Sequence, residues 1–192
     1  MRLEKWLFGL SLAVLITACG STPRSNYYML SAESNGMVGS SGPSLGIGPV
    51  TVPEYLKRRE MVLNRSANKL ELADYDRWAE PLDAGIMRVM ALNLAILLKT
   101  QQVQVFPWRR NSQPDYSVRI AVVQFSISGH TAELVCEWSV SAPATGATLS
   151  QQISQLQTRA RDAEPDSIAA AYSELLAQLA REIAAAIKQQ DS

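Results

Sequence analysis

Histidine and cysteine are nearly missing from this chain. Among 192 residues there is one histidine, His130, and two cysteines, Cys19 and Cys136. That leaves too few soft ligands for a structural zinc site and no stock of disulfides to staple a small fold. An excess of positive charge is also missing: 18 Lys+Arg balance 18 Asp+Glu. A nucleic-acid binder needs a basic footprint to meet phosphate, so that class is excluded. No phosphate-cradling glycine loop is present, since Gly46 and Gly48 precede a proline with neither a Lys-Ser/Thr pair nor a helix behind them. Beyond the N-terminus no run is apolar for 18 residues, so no later segment is long enough to span a bilayer as a helix.

What is present begins at the N-terminus. Arg2 and Lys5 precede an apolar run from Trp6 to Ile16, which ends in Ile16-Thr17-Ala18-Cys19-Gly20. The run is too short for a permanent span and has the layout of a secretory signal. Ile-Thr-Ala-Cys resembles the lipobox of bacterial lipoproteins, in which the cysteine is acylated and the chain is cut before it. Residues 1–18 are therefore expected to be a signal peptide, Cys19 the covalent lipid site, and 19–25 a lipidated tether. Cutting at that point leaves 174 residues, with 16 Lys+Arg against 17 Asp+Glu. Residue 20 is Gly rather than the aspartate that retains such lipoproteins in the inner membrane. The expected location is the outer membrane, facing the periplasm. A tether of about six residues reaches roughly 20 Å, which keeps the folded body close to the membrane.

Residues 26–192 read as a single α+β domain. Asn26–Leu30 is a short aromatic strand, followed at 31–43 by a Ser/Gly-dense segment expected to be a flexible loop. Leu45–Val52 reads as a strand that Pro49 forces to an edge or a bend. Glu54–Arg59 is a turn or short helix. Glu60–Arg65 and Lys69–Ala73 form a hairpin, and Asp74–Ala79 is expected to be a loop holding Tyr75 and Trp78. A helix opens at Pro81 and runs to about Thr100, with an apolar sector wide enough to be covered on more than one side. Val103–Trp108, Asp115–Ile127, Thr131–Ala142 and Ala147–Ala160 are strands, the last three a meander. Val118, Ile120, Val122, Val123 and Phe125 make the second of these apolar on both faces, the pattern of a strand covered on both sides. Strict alternation puts Cys136 on the apolar face of the next strand. Pro165 opens a final helix with Ile168, Tyr172, Leu175, Leu176, Leu179, Ile183 and Ile187 on one face. The sum is a mainly antiparallel sheet with two long helices packed on one face.

Chemistry is hard to find. His130 follows Gly129 in a turn, and no nucleophile motif accompanies it. Asp74, Asp76, Glu80 and Asp83 form an acidic cluster, but Arg77 lies among them and no calcium-loop spacing exists. The expectation is no catalytic residue, no metal and no cofactor other than the lipid on Cys19.

Three segments carry a likeness: Asn26-Tyr27-Tyr28-Met29-Leu30, Ile47-Gly48-Pro49-Val50-Thr51-Val52-Pro53-Glu54-Tyr55-Leu56, and Arg77-Trp78-Ala79-Glu80-Pro81-Leu82. With the lipobox and terminal helix they resemble the ABC-type transport auxiliary lipoproteins, the PqiC/YmbA group. The resemblance implies a non-enzymatic accessory lipoprotein of a trans-envelope lipid transport system that supports membrane integrity. Its implied companions are an MCE-domain periplasmic protein, an inner-membrane component and outer-membrane lipid, with self-association left open. Tyr27, Tyr28, Tyr55 and Trp78 are candidates for a partner or lipid surface, because aromatics concentrate at interfaces. A structural envelope lipoprotein that braces an assembly without handling lipid is the alternative.

Overall fold

The structure is a computed structural model that describes residues 24–33, 36, 38–66, 68–108 and 113–190. The expected signal peptide and Cys19 lie outside the described residues. The element order is β1 (Asn26–Tyr28), β2 (Leu45–Thr51), a 3₁₀ turn (Glu54–Leu56), β3 (Glu60–Ser66), β4 (Lys69–Trp78), α1 (Leu82–Leu97), β5 (Val103–Val105), β6 (Tyr116–Ser128), β7 (Thr131–Ala142), β8 (Ala147–Arg159) and α2 (Pro165–Lys188). The fold is α+β, with one large, mostly antiparallel open sheet and, among the described residues, two α-helices.

The backbone of the sheet is the β6–β7–β8 meander. Gly129, at φ +59°, makes the two-residue turn between β6 and β7 without steric cost. On β7, alternation sends Ala132, Leu134, Cys136, Trp138 and Val140 inward, each no more than 1 % exposed. Opposite them on β6 stand Ile127, Phe125, Val122, Ile120 and Val118. Here the structure corrects the sequence reading. A β-bulge between Val122 and Gln124 inserts one extra residue, so the five large side chains share one face and Val123 is left 59 % exposed on the other. The apolar density of β6 comes from the bulge and not from cover on both faces. The polar β8 pairs only with β7 and closes this side of the sheet, as its composition indicates.

The other edge of β6 carries two separate arms. Near its start β2 pairs in parallel from Leu45↔Tyr116 to Thr51↔Ala121, with a register shift at Gly48-Pro49, and β5 lies outside β2. Near its end β6 meets β3 at Asn64↔Ser128, and the β3–β4 hairpin and β1 extend that arm. Between Ala121 and Ser128 no described strand pairs with this edge, and the 3₁₀ turn crosses the gap between the arms. The expected loop at Asp74–Ala79 is instead strand, up to Trp78. Parallel pairing with β1 (Asn26↔Asp76) and hydrogen bonds from Asn26 Nδ2 (3.0 Å) and Tyr28 Oη (3.1 Å) to Asp76 Oδ1 hold this polar stretch extended. Cross-strand partners decide such cases against propensity. The strand expected through Trp108 ends at Val105, because Pro107 has no N–H to continue a ladder.

Both helices lie on one face of the sheet, α1 over β2 and β5, and α2 over β7 and β8. Pro81 is the N-cap of α1 rather than its first residue, and the helix ends at Leu97, three residues short of Thr100. The segment after β1 is not loose over its described residues. Ser31 N–H donates to Ser173 Oγ (3.0 Å), Glu33 N–H to Asn93 Oδ1 (2.9 Å), and the Ser41 and Gly42 N–H groups to Lys99 O (3.1 and 3.0 Å). Arg181 pairs with the Glu33 carboxylate at 3.0 Å. This strap crosses both helices, and α1 also packs against α2, so its apolar sector beyond the sheet-facing stripe is covered from two directions.

Candidate functional site

Of the four aromatic candidates for a partner or lipid surface, Tyr27, Tyr28 and Trp78 lie on the paired strands β1 and β4, with Tyr28 opposite Trp78, but they differ in exposure. Tyr27 is 59 % exposed on β1 beside the exposed Met29. Tyr28 is half-buried, and burial together with the acceptor Asp76 raises its phenol pKa. Trp78 is a correction: at 4 % exposure it is a core residue and not a surface. It is stacked on Tyr172 of α2 at 6.1 Å, and Tyr172 stacks on Phe125 at 4.0 Å. As the last residue of β4, Trp78 has its side chain directed under α2, whereas a loop position would have left it free.

Tyr55 lies in the 3₁₀ turn that fills the gap along β6. Its hydroxyl accepts the Phe125 N–H, which lowers its pKa, but burial outweighs this and leaves the pKa raised. Above it, on the face of the sheet away from the helices, is a groove of about 610 Å³. The β3–β4 hairpin supplies Asn64, Asn68 and Leu70, and the β6–β7 hairpin supplies Gln124, Ser128 and Glu133. Gln124 Nε2 donates to Glu133 Oε2 (2.9 Å) and Ser126 Oγ (3.0 Å). Gln155 and Gln157 of β8 donate to Glu133 Oε1 at 2.8 and 3.2 Å. Sequence reasoning missed this groove, because its residues are ordinary, mostly polar positions scattered over four strands and two turns. Only Tyr55 was singled out.

The acidic cluster is dispersed into structural roles. Asp76 accepts from Asn26 and Tyr28, Asp83 Oδ1 accepts the Ala84 N–H (2.9 Å), and Glu80 pairs with Arg88, which also donates to Leu30 O (2.8 Å). Among the described residues no three His, Cys, Asp or Glu side chains are grouped to hold a metal ion. His130 is exposed in its turn.

Cys136 is fully buried, and burial, with a smaller contribution from the charge of Glu182, pushes its thiol pKa up to about 12. The thiolate is the reactive form, so native Cys136 is inert. A thiol reagent at pH 8 should modify the folded protein only as fast as the sheet opens, and denaturant should release it within the mixing time of the assay. Rapid native labelling would mean that β7 does not face the core this way.

The α+β sheet with two helices on one face also occurs in solved structures that share little sequence. A crystal structure of an uncharacterized protein matches with a TM-score of 0.68 at 21 % identity, over 86 % of this chain and 99 % of that one. A protein from Xanthomonas campestris matches with a TM-score of 0.68 at 14 % identity, over 87 % and 98 %. These likenesses show the fold. The family model for the ABC-type transport auxiliary lipoprotein component matches residues 28–184, and the chain belongs to that family. Two curated relatives are each 30 % identical over 100 residues, the intermembrane transport lipoprotein PqiC of Escherichia coli and of Shigella flexneri. The match covers 50 % of this chain and 53 % of each relative, so the chain spans about half the length of the curated relatives it matches.

Proposed function

We propose that this transport auxiliary lipoprotein is held by a covalent lipid on Cys19 in the outer membrane, faces the periplasm, and acts without catalysis. In this reading it is an accessory of a trans-envelope lipid transport system, beside an MCE-domain periplasmic protein and its inner-membrane component. The family match over residues 28–184 is the observation that carries the reading.

The direction of the chain supports it. β1 runs parallel to β4, so at Asn26 the chain enters the sheet from the side of the β3–β4 and β6–β7 turns. At the opposite end of β6, about ten residues or roughly 33 Å away, Val105 and Phe106 are exposed and Phe106 packs edge-on against Trp108 at 5.6 Å. An anchor at the first end turns this apolar corner into the periplasm, where a protein partner can cover it. The corner takes over the role first considered for Trp78.

Replacing Cys19 tests the reading. Cys19→Ala should abolish palmitate labelling and release the protein from membranes. In cells it should weaken the envelope barrier to the same degree as deletion of the chain, with no added defect when the MCE-domain gene is also deleted. Persistent labelling would rule out the anchor, and an additive double defect would place the protein in a separate pathway.

A further inference from the structure

We infer that the groove over Tyr55 is a binding site for a neutral oligosaccharide. This inference does not rest on the transport reading. The groove is a consequence of the split sheet: β2 leaves β6 at Ala121, β3 joins it at Ser128, and the hairpin and the meander stand apart as two walls. Its volume of about 610 Å³ is in the range of small-ligand sites, which runs to roughly 1,000 Å³.

The lining chemistry selects the ligand class. Asn64 and Asn68 present side-chain amides, Gln124 the carbonyl oxygen of an amide whose N–H groups bond Glu133 and Ser126, Ser128 a hydroxyl, and Glu133 one carboxylate. Amides and hydroxyls both donate and accept, as sugar hydroxyls and N-acetyl groups do. No described cation lines the groove, so an anionic ligand would meet Glu133 without a counter-charge. Tyr55 adds a half-buried aromatic side chain, the group against which the apolar C–H face of a pyranose packs, and the exposed Leu70 and Val123 extend that apolar strip.

The polar groups are held in place before any ligand arrives. Gln124, Gln155 and Gln157 fix both oxygens of Glu133, and the Gln124 amide is itself fixed between Glu133 and Ser126. Preorganisation of this kind reduces the ordering cost of binding. A peptide is the less suitable occupant. An added strand would need the open edge of β6, and there the Phe125 N–H is already taken by the Tyr55 hydroxyl.

The test is titration of the ¹⁵N-labelled folded protein with tetra-N-acetylchitotetraose, followed by two-dimensional NMR. The Asn64, Asn68 and Gln124 side-chain amides and the Val123–Ser128 backbone should shift and saturate at millimolar ligand. Asn68→Ala should weaken binding about tenfold, which is the expected loss of one good hydrogen bond, while the melting temperature stays unchanged. Gln124→Ala, which also frees Glu133 and Ser126, should weaken binding at least as much and lower the melting temperature. Tyr55→Phe keeps the ring and should bind within about threefold of the parent, whereas Tyr55→Ser should not bind. Four results would each overturn the assignment: no saturable shift at roughly 10 mM sugar, shifts confined to another surface, affinity indifferent to both amide substitutions, or a neutral tetrapeptide occupying the groove when the sugar does not.

Discussion

A chain ended at Glu164 should show no cooperative thermal transition. The truncation removes α2, and with it Ile168, Tyr172, Leu175, Leu176, Leu179, Ile183 and Ile187, all at most 3 % exposed. Burying each such side chain contributes about 1.5–3 kcal/mol. Seven together rival the net stability of a domain, about 5–15 kcal/mol. The loss is larger than the sum over one helix, because α2 is the lid of the β7–β8 half of the core and also the outer support of the strap through Ser173 and Arg181. Trp138 Nε1 donates to Ser154 Oγ (2.8 Å), and that hydroxyl in turn bonds the Glu182 carboxylate of α2, so the truncation also breaks a hydrogen-bonded chain running out of the core. Circular dichroism at 222 nm during heating is the measurement. A cooperative melt near the parent temperature would make α2 a detachable element and the sheet stable alone.

The parts of this fold that can be read from sequence are those whose signal is local and periodic. β7 alternates cleanly and α2 has one unbroken apolar stripe, so the buried face of each is legible in the sequence. β6 has equally strong apolar content, but a single inserted residue changes its meaning: nothing in Val122-Val123-Gln124 shows that the strand bulges there, and without the bulge Val123 reads as core. The β4 extension through Trp78 depends on partners on both sides: β1, 50 residues away, pairs over three residues, and on the other side Glu60 pairs with Arg77 and the Trp78 N–H donates to Arg59 O. The strap at 31–43 looks like linker by composition. Its described residues Ser31 and Glu33 are held by Asn93, Ser173 and Arg181 on the two helices, and a window of local sequence cannot see them. The groove at Tyr55 had no legible signal at all, because it exists only where two arms of one sheet diverge.

Trp78→Ala should destabilise the protein by about 3–5 kcal/mol, the usual cost of removing a large aromatic from a core. For a chain of this length that lowers the melting temperature by roughly 6–20 °C. The indole joins three parts of the structure: it ends β4, stacks on Tyr172 of α2, and through Tyr172 reaches Phe125 of β6. Removing it leaves a cavity that these rigid rings cannot close by changing rotamer. Tyr172 is itself buried between Trp78 and Phe125, its hydroxyl has no hydrogen-bond partner among the described residues, and desolvation raises its pKa strongly. The control is Tyr27→Ala on the neighbouring strand, where the side chain is mostly in solvent and the change should stay within about 0.5 kcal/mol. Both variants can be compared in one urea titration at 25 °C. If Trp78→Ala melts with the parent, the ring stack is not part of the core, and a loss of function in that variant would again point to Trp78 as a contact for a partner. If it falls as expected, any loss of function follows from the loss of folded protein, and the search for the partner surface belongs at Val105 and Phe106.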